Sequence, residues 1–408
     1  VFSEPVTGFA ANDISFVGST VGGTLSASIS GTGPTYTVSV TGMTGNGTVV
    51  ASIAANRVTD LAGNPNVAST STDNVVTFDS TPPTVTINQA TGQADPTNVG
   101  PILFTVTVSE PIIGFTGSDI SFAGSTVGGT LSATITGTGP TYTVSVTGMN
   151  GEGTVVASIP AGAFTDLAGN GNLASTSTDN SVYFDNLAPT VTINQATGQA
   201  DPTNTGPILF TVVFSEPVSG FTASDVSLAL STAPGPLVAA VTGSGTTYTV
   251  SVTGMSGSGL VRATIPAGAA QDAVGNASVA STTTDNTVTY DVTPPSVTIN
   301  QATAQADPTN SGPILFTVVF SEPVTGFAPA GVNLSASTAP GTLVASVTGS
   351  GTTYQVSVTG MTSDGLVIAS VNAGAATDTA GNPSLASTST DNSVAFDNTP
   401  PSVTINQG

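Results

Sequence analysis

Cysteine, histidine, lysine and tryptophan are all missing from this 408-residue chain, and only Arg57 and Arg262 carry positive charge. Each absence removes a class of function. Without Cys no disulfide staples the fold, and the redox compartment stays open. Without His or Cys, zinc has no preferred donors. Without Lys, no Lys–Asn isopeptide bond can form. Two basic residues against 24 acidic ones give a net charge of −22. Phosphate binding needs Lys and Arg, so nucleic acid is a poor partner, as is anionic lipid. Charged residues make up 6% of the chain, against roughly 25% in ordinary soluble domains. No apolar run approaches the roughly 20 residues of a membrane span, and no signal peptide or lipidation motif is visible.

What is present is repetition. Glu4, Glu110, Glu216 and Glu322 recur at a step of 106 residues, and Asp60, Asp166, Asp272 and Asp378 keep the same step. So do Tyr36, Tyr142, Tyr248 and Tyr354, with no insertion to break the register. A repeat of that length can be a complete domain, unlike the short units of a solenoid. The boundaries are read as repeat 1 at 1–81, repeat 2 at 82–187, repeat 3 at 188–293 and repeat 4 at 294–399. Residues 400–408 read as the first strand of a following repeat. VFSEPVTGF at the start matches the middle of later repeats, so repeat 1 lacks its N-terminal part. Two explanations stand: a cut from a longer array, or identical chains joined head to tail.

Within repeat 2, seven apolar-alternating runs follow one another: TVTINQ, PILFTVTVSEP, SDISF, GGTLSATITG, GPTYTVSVTGM, GTVVASIP and SVYFD. Turn signals separate them and no helical period appears. The fold class is therefore all-β, a linear array of seven-stranded immunoglobulin-like sandwiches. The disulfide and packed Trp of antibody domains are missing, so the core rests on Phe104, Tyr142, Val144, Val146, Val155, Ile159 and Phe184. Two subtypes are visible. Repeats 1 and 2 carry GSTVGGTLSA, while repeats 3 and 4 carry STAPGPLVAA and STAPGTLVAS.

The acids sit at recurring places. TDLAGN and its variants supply Asp60 and Asn64, Asp166 and Asn170, Asp272 and Asn276, Asp378 and Asn382. SEP supplies Glu4, Glu110, Glu216 and Glu322, and the linker after the last strand supplies Asp79, Asp185, Asp291 and Asp397. Further positions are Asp13, Asp119 and Asp225; Asp73, Asp179, Asp285 and Asp391; and Asp95, Asp201 and Asp307. Glu152 and Asp364 fall outside the pattern, and Gly331 replaces the acid at its position in repeat 4. Strand parity places the SEP and TDxxGN acids at one pole of a module and the linker acid at the exit of the module before. The junction of repeats 2 and 3 would gather Asp95 and Asp185 with Glu216, Asp225, Asp272, Asn276 and Asp285. Carboxylates so crowded repel. Calcium, which takes six to eight oxygen ligands, is the cation that suits them. The alternative is that Asp and Asn only shape turns.

The combination SEP…TDxxGN…FDxTPP resembles the bacterial Ig-like repeats of large surface proteins and adhesins, and the layout is similar to cadherin repeats with calcium-filled joints. That resemblance implies an extracellular, secreted or cell-surface rod stiffened by Ca2+. Its partners would be neighbouring repeats of a longer array, or identical chains in a filament. The ligand of its tip is not specified. The Pro-Pro linkers leave little chain to bend. Strands of about 8 residues suggest about 40 Å per module, and on the order of 160 Å for four. An enzyme is not expected, since the same carboxylates recur in every module with no His, Lys, Cys or Trp beside them. Glycan- or ice-binding modules are the competing reading, from the outward Thr and Ser rows.

Overall fold

Val, Ile and Phe alternate with Thr and Ser along the chain, and in the computed structural model that period of two becomes an inside and an outside. The structure describes residues 1–406 and Gly408. The chain divides into two compact units, Val1–Leu187 and Ala188–Gly408.

In the first unit, residues 84–185 show the architecture most fully. A four-stranded antiparallel sheet runs in the order Gly128–Thr136, Thr141–Asn150, Ile102–Val108, Val85–Gln89. Opposite it, Glu152–Val156 pairs with Ser181–Asp185. Between the layers lie Phe104, Val144, Val146, Val155, Ile159 and Phe184, all buried, with Tyr142 half-buried against them. Ile102–Val108 alternates strictly, its odd positions outward and Ile102, Phe104, Val106 and Val108 inward. Residues 1–79 repeat parts of this plan, with Gly22–Thr32 on Thr35–Thr44 and Gly47–Val50 on Val75–Phe78.

The second unit contains two further copies. Val191–Gln195, Ile208–Val218 and Val238–Thr253 form one sheet, and Gly259–Arg262 pairs with Thr287–Tyr290. Val297–Gln301, Ile314–Val324 and Gly341–Met361 form the corresponding sheet, with Gly365–Ile368 on Ser393–Phe396. Each copy encloses its own apolar cluster, around Phe210 and Phe214 in one and Phe316 and Phe320 in the other.

One sequence expectation changes. SDISF does not form a strand of its own. Its start is the 3-10 turn Gly117–Asp119, and a single bridge, Ser121 to Ser158, follows. The Asp119 carboxylate closes that turn by accepting from Thr116 N at 2.6 Å; repeat 1 closes the same turn with Asp13 and still pairs Ile14–Ser15 with Ser52–Ile53, so the turn alone does not decide the ladder. Residues 400–406, expected as part of a further first strand, belong to no strand, and Gln407 lies outside the described residues. Val403 and Ile405 are 83% and 91% exposed there, whereas Val85 and Ile87, at the same repeat positions, are 2% and 0%. A strand needs a neighbour to pair with.

Candidate metal centre

In the first unit the pairing of Ile112–Ile113 with Thr165–Asp166 puts the SEP turn beside the TDLAGN loop. Ile112 lies opposite Asp166, which brings Glu110 close to that aspartate. Asp79, just past strand Val75–Phe78, completes the set. Carboxylate oxygens of Asp79, Glu110 and Asp166 all lie within 4.8 Å of one another.

The loop holds Asp166 rigidly. Its Oδ1 accepts from Ala168 N at 2.8 Å and Asn170 N at 2.9 Å, and its Oδ2 from Asn170 Nδ2 at 2.8 Å. The same Asn170 amide donates to the backbone oxygen of Asp79 at 3.1 Å. One asparagine thus fastens the linker to the loop. Asp79 is oriented by its own turn, Oδ1 accepting from Thr81 N at 3.0 Å. Burial works to raise the Asp166 pKa, but the bonds from Asn170, Ala168 and Gly169 outweigh it and hold the carboxyl below its ordinary value. Glu110 is pushed the other way, first by burial and then by the charges of Asp79 and Asp166. Asp166 therefore stays ionised, and Glu110 is an acid whose ionisation costs free energy unless a cation arrives.

The second unit builds the same group from Asp291, Glu322 and Asp378, again with carboxylate oxygens within 4.8 Å. Thr325 and Thr377 exchange backbone bonds of 2.7 and 3.0 Å, the counterpart of the Ile113–Thr165 pairing. Asn382, 6% exposed, donates through Nδ2 to Asp378 Oδ2 at 2.9 Å and to the Asp291 backbone oxygen at 2.8 Å. Its own Oδ1 accepts from Asn204 Nδ2 at 3.1 Å. Glu322 is pushed up by burial first, then by Asp378 and Asp291.

The other predicted positions fall as follows. Glu4, Asp60 and Asn64 line one groove, and Asp60 is held by Asn64 and Ala62 as Asp166 is by its loop. Asp185 ends strand Ser181–Asp185 in the first unit. In the second, Glu216 lies in Ile208–Val218. Asp272 there accepts from Val274 N and from Asn276 N and Nδ2. Asp397 Oδ1 accepts from Thr399 N at 3.1 Å. Asp13, Asp119 and Asp225 each close a 3-10 turn. Gly331 sits in the equivalent turn, Pro329–Gly331, formed with no acid. Asp95, Asp201 and Asp307 accept from the backbone N–H of Tyr183, Thr289 and Ala395, so they grip the last strand of their own module. The backbone oxygens of Asp179, Asp285 and Asp391 accept from Gln89, Gln195 and Gln301 N at 2.6 Å, while Asp73 N donates to Ser71 Oγ.

Sequence reasoning missed one position. Asn46, Glu152, Ser258 and Asp364 occupy the same turn of successive repeats, and three of them hold the exit linker. Asn46 Oδ1 accepts from Ser80 N and Thr81 Oγ1. Ser258 Oγ donates to Asp291 Oδ1 at 2.9 Å and accepts from Val292 N at 3.0 Å. Asp364 accepts from Asn398 N and Thr399 Oγ1, and those bonds hold its carboxyl below its ordinary value. Glu152 instead accepts from Tyr183 OH at 3.2 Å. The signal was available: the two acids set aside as irregular share a register.

The donor set, three carboxylates with no nitrogen or sulfur ligand among them, suits a hard cation. Asp79, Glu110 and Asp166 would hold it in one unit and Asp291, Glu322 and Asp378 in the other.

Fold and repetition together define a tandem array of β-sandwich modules. A family model, the bacterial Ig-like domain, matches residues 1–77, 79–183, 185–290 and 291–396, and the chain belongs to that family. Such domains are generally found in surface or extracellular proteins and are typically non-catalytic structural modules. A comparison with curated proteins finds no match. No helix among the described residues is long and apolar enough to cross a membrane.

Proposed function

We propose that this chain is a stretch of an extracellular structural protein, a stalk or filament body, in which calcium ties successive Ig-like modules into stiff units. The observation that carries the reading is the pair of three-carboxylate groups, each built by the linker of one repeat and the SEP and TDxxGN segments of the next. In a chain with two basic residues no side-chain cation can relieve the repulsion at every junction. Calcium would neutralise the carboxylates and bind the linker to the following module, so that loading the metal and stiffening the joint are one event.

The test is calorimetric melting and small-angle scattering of the 408-residue chain, in calcium and in excess chelator. Calcium at 100 times its Kd adds about 2.7 kcal/mol to each site it fills, or roughly 10–20 °C for a domain of this size. The expected result is higher melting in calcium and a maximum dimension near the length estimated above. Melts and scattering profiles that coincide in the two buffers would overturn the proposal and leave the acids as turn residues.

A further inference from the structure

The first strand of a module and the chain leading to its last strand run side by side in the same direction. In the first unit, Leu173 N donates to Pro83 O at 2.9 Å, Thr176 N to Val85 O at 3.0 Å, and Gln89 N to Asp179 O at 2.6 Å. The bridge from Thr86 to Thr176 is parallel. A second parallel contact, Thr97 to Phe184, adds Thr97 N to Tyr183 O at 3.0 Å and Asp185 N to Thr97 O at 2.9 Å. Side chains lock both patches. Asn88 Oδ1 takes Thr178 N and Asp179 N at 3.2 and 3.4 Å, and Asp95 Oδ1 takes Tyr183 N at 2.9 Å.

The second unit repeats this twice. Pro189, Val191 and Gln195 meet Val279, Thr282 and Asp285 through bonds of 3.0, 3.0 and 2.6 Å. Pro295, Val297 and Gln301 meet Leu385, Thr388 and Asp391 through 2.9, 3.0 and 2.6 Å. The loops carry Thr203 onto Tyr290 and Thr309 onto Phe396, both parallel.

Tension along the array enters a module at its first strand and leaves at its last. Pulling neighbouring parallel strands by opposite ends slides one past the other, and the hydrogen bonds lie across that motion. They must fail together. An antiparallel hairpin pulled open from one end loses its bonds one at a time. We infer that residues 83–97 with 173–185, and their counterparts in the second unit, form a shear clamp that makes each module bear load. The inference stands apart from calcium, because every bond in it is protein to protein and lies within one module.

The experiment is single-molecule extension of the 408-residue chain held by its two ends, performed in chelator. Unclamping releases about 100 residues, which at roughly 3.3–3.6 Å each gives contour steps of about 30–35 nm. Three sets of variants separate the clamp from general stability. Asn88→Ala, Asn194→Ala and Asn300→Ala together remove side-chain acceptors from the first patch. Asp95→Ala, Asp201→Ala and Asp307→Ala remove those of the second. Ser132→Ala removes a hydroxyl contact of the outer antiparallel pair, Ser132 Oγ to Thr147 Oγ1. The expected result is a forced-unfolding rate raised at least tenfold in the clamp sets, more than their melting shifts account for, and unchanged in Ser132→Ala. Should the Asp set fail to fold, the Asn set carries the test alone. Forced-unfolding rates in folded clamp variants equal to those of the parent chain would overturn the inference, whatever the metal does.

Discussion

The acid groups of the two units use the same residue types on different backbones. Glu322 lies within strand Ile314–Val324, which after a bulge runs on to pair Val324 with Gly351. Glu110 lies in a turn beyond the end of Ile102–Val108. The cause is visible across the sheet. Pro140 interrupts the first unit between Gly128–Thr136 and Thr141–Asn150, and a proline offers no N–H to a neighbour. Thr352 stands at the same register in the second unit, inside the unbroken strand Gly341–Met361. Both units nevertheless arrive at three carboxylates within 4.8 Å. The strand that carries the glutamate is therefore not what builds the group. The constant parts are the TDxxGN loop, its asparagine and the backbone oxygen of the linker aspartate.

That conclusion predicts where the largest loss falls. Asp378→Ala removes the acceptor of two Asn382 bonds, at 2.8 and 2.9 Å, in a residue that is 4% exposed. The two bonds are worth about 1 kcal/mol each, and the lost calcium site about 2.7 kcal/mol at 100 times Kd. In calcium the fourth repeat should melt more than about 10 °C lower. In chelator only the smaller, bond-derived part of the drop should remain, and a calorimetric trace in both buffers reads the two. Asp166→Ala should behave alike in the first unit. If only one unit responded to calcium, the equivalence drawn above would be broken.

The second effect changes sign with the metal. Glu110→Gln and Glu322→Gln each remove an acid whose pKa burial and neighbouring aspartates push up. Without calcium the substitution relieves repulsion, so the melting temperature should rise. With calcium it deletes a ligand and should fall. Opposite signs in the two buffers cannot come from a purely structural role for the glutamate. The same sign in both would remove it from the metal site.

Much of this was legible in the sequence because the repeat is exact. A step of 106 residues fixed the modules, and internal alignment singled out the SEP glutamate, the TDxxGN aspartate and the linker aspartate. Those are the positions that converge in each unit. What could not be read was the employment of the remaining acids. Asp95 and Asp119 look identical to ligands in composition, yet they hold Tyr183 N and Thr116 N away from the three-carboxylate groups, whereas Asp166 takes backbone N–H bonds and still faces Asp79 and Glu110. A carboxylate that only holds a nearby amide and one that also faces other carboxylates have the same letter, and only the path of the backbone separates them. The linker grip at Asn46, Ser258 and Asp364 was hidden for a related reason. Three different side chains do one job, so identity at the position does not repeat while its hydrogen-bonding capacity does.

pH sharpens the comparison further, in chelator. Glu110 and Glu322 have folded pKa values above their unfolded ones. The stability they confer is complete below the ordinary glutamate range and is lost as pH rises through the folded value. Asp166 has a folded pKa below its unfolded one, so its contribution is present above the ordinary aspartate range and lost as pH falls. Melting temperature against pH should therefore decline on both sides of a maximum near the carboxylate range. Glu110→Gln together with Glu322→Gln should flatten the high-pH side and leave the acid side intact. Calcium should flatten the same side by a different route, holding both glutamates ionised.

The smallest effect separates two ways of holding a linker. Asn46 takes the backbone N–H of Ser80 and the hydroxyl of Thr81 but makes no bond to the Asp79 carboxylate among the contacts described, whereas Ser258 donates directly to Asp291 Oδ1. Asn46→Ala should cost about 1 kcal/mol of stability, equal with and without calcium, because it loosens the chain and leaves the ligand's own turn bond from Thr81 in place. Ser258→Ala removes one of two bonds to Asp291 Oδ1, which Thr293 N still holds at 2.9 Å. Outer partners of metal-binding carboxylates commonly change affinity by about 10-fold or more when removed, so here the calcium midpoint should move as well, on top of a loss of about 1 kcal/mol in the chelated melt from the Val292 N bond. Thermal melts across a calcium series distinguish these outcomes. Parallel curves for both variants would mean that the turn residue sets the linker's position and nothing about its ligand. Only a shifted midpoint in Ser258→Ala would show that two junctions with the same acids are tuned apart by a neighbour.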